Sequence, residues 1–186
     1  LGREYFQEQG LQPSINNIQD SIKDCHETIS LDALNRIGIQ GGYHNPPTYH
    51  LDMEWAFIPY YHLQGQQLMP TQSTIESELS SYIDDKITLC LDQISFQNFQ
   101  LTYSQPSTKS TIQETDTTFT TTLPITIEHE GNTVNLNLNE HPTTLETSLK
   151  ESFSELTIRG ISEFGTEKEI GIVIETVDIN EELMKA

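Results

Sequence analysis

Three histidines in one segment are the residues of this sequence that first suggest metal chemistry. His44, His50 and His62 lie within residues 38–63, near Asp52 and Glu54, and zinc accepts such nitrogen and oxygen donors. Two prolines separate His44 from His50, however, and no HExxH or HxxxH spacing occurs. We therefore expect these histidines to act through hydrogen bonds, with a metal site as the weaker alternative.

The same segment is rich in aromatic side chains that could stack on sugar rings. The candidate ligand-binding residues are Tyr43, Tyr49, Trp55, Tyr60 and Tyr61. A carboxylate pair beside such rings would suit glycoside hydrolysis, and Asp52 and Glu54, two residues apart, share one side of a strand. The simpler interpretation is that exposed acids alternate here with buried apolar residues. No GxSxG or comparable nucleophile motif occurs, so we predict no catalytic residue and no enzymatic activity.

The charge of the chain excludes several classes of partner. Nine Lys and Arg face 28 Asp and Glu, which gives a net charge of −19. Phosphate repulsion therefore argues against nucleic acid and anionic lipid surfaces. Calcium is compatible with so acidic a chain, but no EF-hand-like run of acids occurs, and we predict no cofactor.

No segment of the sequence predicts membrane insertion. The chain contains no run of 18 apolar residues and no charged region followed by an apolar one at its start. Its first residue is Leu rather than Met, which is typical of a mature or excised product, and a signal or an anchor could have preceded it.

Two segments have the periodicity of amphipathic helices. Apolar residues at spacings of three and four predict a helix from Ser14 that Gly38 ends. A second helix is predicted after Pro70, with Ser73 and Glu76 as a capping box.

Most of the remaining chain has strand patterns. Alternating apolar residues predict a strand over residues 51–58 and a hairpin around Gly131, and the Thr-rich residues 115–122 indicate an exposed or edge strand. A third helix is predicted from residues 142–144 through Leu145, Leu149, Phe153 and Leu156, and a last strand over residues 169–179. This order predicts an α+β fold, with about three helices on a mostly antiparallel sheet. Residues 1–168 would form one domain, and residues 169–186 an extension that pairs within the chain or with another chain.

Three stretches together resemble a recurrent pattern in proteins of small-genome archaea. They are LNRIGIQGGY at residues 34–43, IPYY at residues 58–61 and IESELSSYIDDKITLCL at residues 75–91, with Cys25 on the first helix and Cys90 on the second. The family that they resemble consists of uncharacterised surface proteins with an N-terminal membrane anchor. The resemblance covers roughly residues 15–95 and implies an anchored, extracytoplasmic protein without an established activity. The anchor itself is absent from this chain.

Cys25 and Cys90 are the only cysteines, and each falls on the apolar stripe of its helix. They could be reduced core residues, since free cysteine is often buried. The even count, the absence of CxxC and the surface location that the resemblance implies favour a disulfide.

These observations favour a non-enzymatic, extracellular or cell-surface protein that acts in surface architecture or self-assembly. Its partners would be other surface proteins or its own copies, joined head to tail through the last strand or the N-terminal segment. The alternative is a glycan-binding or glycan-cleaving module that uses the aromatic residues of segment 43–61. The exposure of Trp55 separates the two functions, because a buried Trp55 could not stack on a sugar and would remove the glycan alternative.

Overall fold

The computed structural model describes residues 15–94, 99–129, 131–151 and 170–171. Two long helices, α1 (Ile15–Ile39) and α2 (Gln72–Leu91), pack against each other and against antiparallel strands. The predicted α+β class is confirmed. Within the described residues, neither helix is long and apolar enough to span a bilayer.

Helix α1 ends at Ile39, slightly later than a stop at Gly38 would place its end. Gly38 is buried inside the helix, and the stop is made by Gly41, whose φ is +63°. The Gly42 N–H donates to the Ile37 carbonyl at 2.8 Å, and the Gly41 N–H to the Gly38 carbonyl at 3.2 Å. These two bonds form a Schellman cap, which satisfies carbonyls that the helix end would otherwise leave open.

Helix α2 begins two residues earlier than the predicted capping box. Thr71 is the N-cap, and its hydroxyl accepts the Thr74 N–H at 3.2 Å. Glu76 is therefore not a capping residue, and its carboxylate instead accepts the Ile112 N–H at 2.9 Å. The prediction failed because Thr71 and Ser73 are both acceptable caps, and periodicity does not decide between them.

Six strands form two three-stranded antiparallel sheets. One sheet has the order β4 (Phe99–Tyr103), β7 (Pro124–His129) and β8 (Asn132–Asn137), and includes the hairpin predicted around Gly131. The other has the order β5 (Ser107–Ile112), β6 (Asp116–Thr122) and β9 (Thr143–Glu146). Strand β7 follows β6 directly after the buried Leu123, so the chain passes from one sheet to the other at that residue.

The Thr-rich segment is the centre of its sheet rather than an exposed or edge strand. Strand β6 lies between β5 and β9, with Thr117, Phe119 and Thr121 fully buried on one side. Threonine has high strand propensity wherever it packs, so composition alone did not reveal the strand's position.

The free edge of β5 is covered by side chains of α2. The Ser110 N–H donates to Ser80 Oγ at 3.0 Å and the Ile112 N–H to Glu76, while Asp84 takes hydrogen bonds from Thr108. Four residues of a helix span about 6 Å and two residues of a strand about 6.6 Å. Every fourth residue of α2 can therefore bond every second residue of β5. The helix thus protects an edge that could pair with another chain.

Three predictions for the rest of the chain need correction or lie partly outside the described residues. Residues 51–58 are not one strand but parts of a hairpin, β1 (His50–Asp52) and β2 (Phe57–Leu63). The short strand β3 (Gln66–Gln67) pairs with the end of β2. Residues 143–146 pair with β6 and form β9, so they do not start the third helix as predicted. Helical residues begin at residue 149. Phe153 and Leu156, which were predicted to belong to this helix, lie outside the described range. Of the predicted last strand, only β10 (Ile170–Gly171) is described, and it pairs with β2 of the same chain.

Candidate functional site

The β1–β2 hairpin is held against the helices by the turn that ends α1. Gly41 lies so close to β2 that a Cβ atom there would meet Pro59 at 2.7 Å, and Gly42 lies similarly close to Ile75 at 3.1 Å. The buried Tyr61 hydroxyl donates to the Gly41 carbonyl at 2.7 Å. Only glycine combines these positive φ values with such a close approach, so the turn fixes where the hairpin starts.

One side of the hairpin packs on the body of the protein. Phe57, Pro59 and Tyr61 alternate along β2 and are buried. The His50 ring, opposite Pro59, contacts the Phe57 ring edge-on at 5.7 Å between centroids. Pro59 therefore lies inside the strand instead of ending it.

The other side of the hairpin and its tip are open to solvent. The exposed fractions of the large side chains there are 48% for Tyr49, 51% for Leu51, 39% for Met53 and 67% for Trp55. We call these four residues the hairpin patch. Leu51, Met53 and Trp55 were predicted as the buried face of a strand, and that prediction is wrong. Alternation shows which residues share a side, but not whether anything covers it.

The tip of the hairpin is a tight turn centred on Glu54. The Trp55 N–H donates to the Met53 carbonyl at 2.8 Å, and Glu54 has a φ of +67°. A non-glycine residue in this region is strained, and such strain is often found at functional positions. Asp52 Oδ1 accepts the Glu54 N–H at 3.0 Å and so supports the turn.

The five aromatic residues proposed for ligand binding differ in how far they are exposed to solvent. Trp55 and Tyr49 are exposed, whereas Tyr61 is 5% exposed and its hydroxyl is already used. Burial raises the pKa of Tyr61, and burial with the nearby Glu78 carboxylate raises that of Tyr43. Tyr43 donates to the Leu68 carbonyl at 3.4 Å, and Tyr60 is half-buried in β2. Two of the five are thus built into the fold.

The three candidate metal ligands lie in separate environments. His44 Nε2 is 2.9 Å from Asp85 Oδ2 on α2, and His50 Nδ1 is 2.7 Å from the Pro47 carbonyl. His62 is in β2, opposite Gln67. Among the described residues, no group of three or more His, Cys, Asp or Glu side chains could hold a metal ion.

The predicted disulfide between Cys25 and Cys90 is confirmed. It joins α1 to α2 with a Cα–Cα distance of 5.9 Å, and it links residues 65 apart in the chain. Disulfides persist in oxidising, extracytoplasmic compartments, so the bond indicates such an environment.

A buried polar cluster around His26 was not found by sequence reasoning. His26 is 1% exposed, with Nε2 2.8 Å from Thr121 Oγ1 and Nδ1 2.8 Å from Thr143 Oγ1. Thr121 also bonds Thr108 at 2.8 Å. Burial lowers the pKa of His26 to about 4. The only signal in the sequence was the position of His26 beside Cys25, next to the apolar stripe of α1.

Comparisons with protein-family models, with curated proteins and with solved structures give no match for this chain. The candidate site therefore rests on the geometry of the hairpin alone.

Proposed function

We propose that this protein is a non-enzymatic, extracytoplasmic domain of the cell surface that acts in surface architecture by contacting neighbouring surface proteins or its own copies. The observation that carries the proposal is the hairpin patch, in which four large side chains, Tyr49, Leu51, Met53 and Trp55, are exposed within residues 49–55 of an acidic chain. Large apolar side chains exposed together in this way are typical of interaction sites.

The disulfide and the resemblance to anchored archaeal surface proteins support the extracytoplasmic, cell-surface part of the proposal. The Cys25–Cys90 bond is of the type that persists outside the reducing cytoplasm. A high density of acidic and hydroxyl side chains keeps such a surface hydrated. The motifs of residues 34–43, 58–61 and 75–91 are those that carry the resemblance.

Sedimentation of the pure chain tests self-assembly. A net charge of −19 opposes association, so copies should associate more as salt or calcium screens that charge. The variant Leu51→Ser should weaken association, and Leu89→Ser, at a similarly exposed Leu on α2, should not. A chain that stays monomeric at high salt and with calcium contradicts self-assembly. Deleting residues 169–186 tests the last strand separately, since its described part already pairs within the chain.

Glycan binding is the second candidate, favoured by the exposure of Trp55 at 67%. A flat, solvent-facing indole beside hydrogen-bonding carboxylates such as Asp52 suits a sugar ring. Because Trp55 is the sole tryptophan, its fluorescence reports on this site directly. Neutral oligosaccharides should protect it from acrylamide quenching, and an unchanged quenching constant across a panel of sugars contradicts this candidate.

A further inference from the structure

The hairpin patch is too small to hold two copies together by itself. Aromatic side chains bury about 150–250 Å² each, so four partly exposed side chains offer on the order of 400 Å². A stable interface needs about 800 Å² from each partner. The patch therefore fits an occupant that gains affinity from something besides apolar contact.

The charges around the patch show what that additional contribution is. Asp52 and Glu54 are exposed beside Met53 and Trp55. Among the described residues no Lys, Arg or His forms an ion pair with either carboxylate, so both negative charges are open to a cation of a partner. A second copy would bring the same acids face to face, and an anionic surface would be repelled in the same way.

We propose that the hairpin patch binds a cationic segment of a partner protein, with a Lys or Arg side chain over the Trp55 ring and beside Asp52 and Glu54. The face of an indole attracts cations, by about 0.5–1 kcal/mol at exposed sites. The aliphatic stem of such a side chain covers apolar surface of the kind that Leu51 and Met53 offer. The inference rests on the proposed function, because it takes the same hairpin as the contact face.

A titration of the intact chain with two short synthetic peptides tests the inference. In one peptide Lys alternates with Leu, and in the other Glu replaces Lys. The Lys peptide should shift the emission of Trp55 to shorter wavelength and protect it from acrylamide, with an affinity that falls as salt is added. Equal binding of the Glu peptide, or equal protection by a neutral oligosaccharide, overturns the inference.

Matched variants separate the local carboxylates from the overall charge. The double variant Asp52→Asn with Glu54→Asn should bind the Lys peptide about fivefold or more weakly, because both charges beside the ring are removed. Asparagine retains the turn-supporting oxygen at position 52 and tolerates the positive φ at position 54. Glu128→Gln with Glu146→Gln removes the same net charge from exposed strand positions and should change the affinity less than twofold. Equal weakening by both pairs overturns the inference.

Trp55→Leu tests the contribution of the ring while keeping an apolar side chain. With a fluorescently labelled Lys peptide, anisotropy should show severalfold weaker binding to this variant, and unchanged binding overturns the inference. Sedimentation of the chain alone keeps this result distinct from the proposed self-assembly. A monomer that binds the Lys peptide supports the inference and contradicts self-assembly, and an associating chain that ignores the peptide does the reverse.

Discussion

The helix–sheet body and the β1–β2 hairpin differ in how their polar and apolar groups are partnered. In the body, the outer edge of β5 is bonded by side chains of α2, and the buried His26 has a hydroxyl at each ring nitrogen. In the hairpin, Trp55 and Leu51 face solvent, and the nearby carboxylates have no basic partner among the described residues.

This difference separates stability from interaction. Groups that are paired inside the protein stabilise the fold and offer nothing to a partner. The hairpin patch contributes little to the core, so its residues are free to contact another molecule. Substitutions should therefore have large effects on stability in the body and small ones in the hairpin.

The largest effect is expected from the disulfide. Replacing Cys25 and Cys90 together with Ala should lower the free energy of unfolding by about 4 kcal/mol, because a cross-link over 65 residues restricts the unfolded chain. Urea unfolding monitored by far-UV circular dichroism measures this. The untreated and the reduced wild-type chain provide the control, and a loss below about 1 kcal/mol would contradict the assigned role.

The next effect concerns pH and His26. Its pKa is about 4 in the folded protein and near 6.5 when unfolded, so at pH above 6.5 both states are neutral and its full contribution to stability is present. As pH falls from 6.5 to 4, the unfolded state takes up a proton that the folded state does not, and stability falls by roughly 3 kcal/mol.

The variant His26→Gln isolates this contribution from other titrating groups. The variant has no ionisable ring. Its free energy of unfolding at neutral pH should be lower by about 1–3 kcal/mol, because one threonine hydroxyl loses its partner. Its stability should then depend less on pH than that of the wild type between pH 6.5 and 4. Parallel curves for the two proteins in urea unfolding would show that His26 does not titrate in this way.

A smaller effect is expected at the covered edge of β5. Ser80→Ala leaves the Ser110 N–H without its acceptor and should cost about 1–3 kcal/mol. Ser81→Ala, on the exposed side of the same helix, should stay within about 0.5 kcal/mol. Thermal unfolding of the two variants measures the difference, and equal values would mean that α2 does not protect this edge.

The smallest effect on stability is expected in the hairpin. Trp55→Ala removes a side chain that is 67% exposed and should change the free energy of unfolding by no more than about 0.5 kcal/mol. Phe57→Ala, on the buried side of the same hairpin, should cost about 3 kcal/mol or more and serves as the contrast. If Trp55→Ala destabilised the protein as much as Phe57→Ala does, the hairpin patch would have to be part of the core.

Much of the body could be predicted from local patterns. Spacings of three and four residues fixed both helices, and they placed Cys25 and Cys90 on apolar stripes where they could meet. Alternation fixed the β7–β8 hairpin and its turn. These patterns are reliable because a helix or strand that buries one side must repeat apolar residues with its own period.

Pairings between distant segments were decided only by the tertiary structure. Residues 143–146 have helix-compatible residues, yet they form β9 because the edge of β6 is available to them. Asp84 on α2 is partly buried against β5, where it accepts hydrogen bonds from Thr108, and burial raises its pKa. Nothing in the local sequence marks these partners, since they depend on which element lies opposite.

The sequence by itself determined that residues 49–55 carry apolar side chains at alternate positions, with Asp52 and Glu54 between them. The tertiary structure decided that these apolar residues lie on the outer side and the tip of a hairpin, where no element of the described chain covers them. The physical reason is that alternation specifies a two-sided strand, whereas burial depends on a second surface that lies elsewhere in the chain or in a partner.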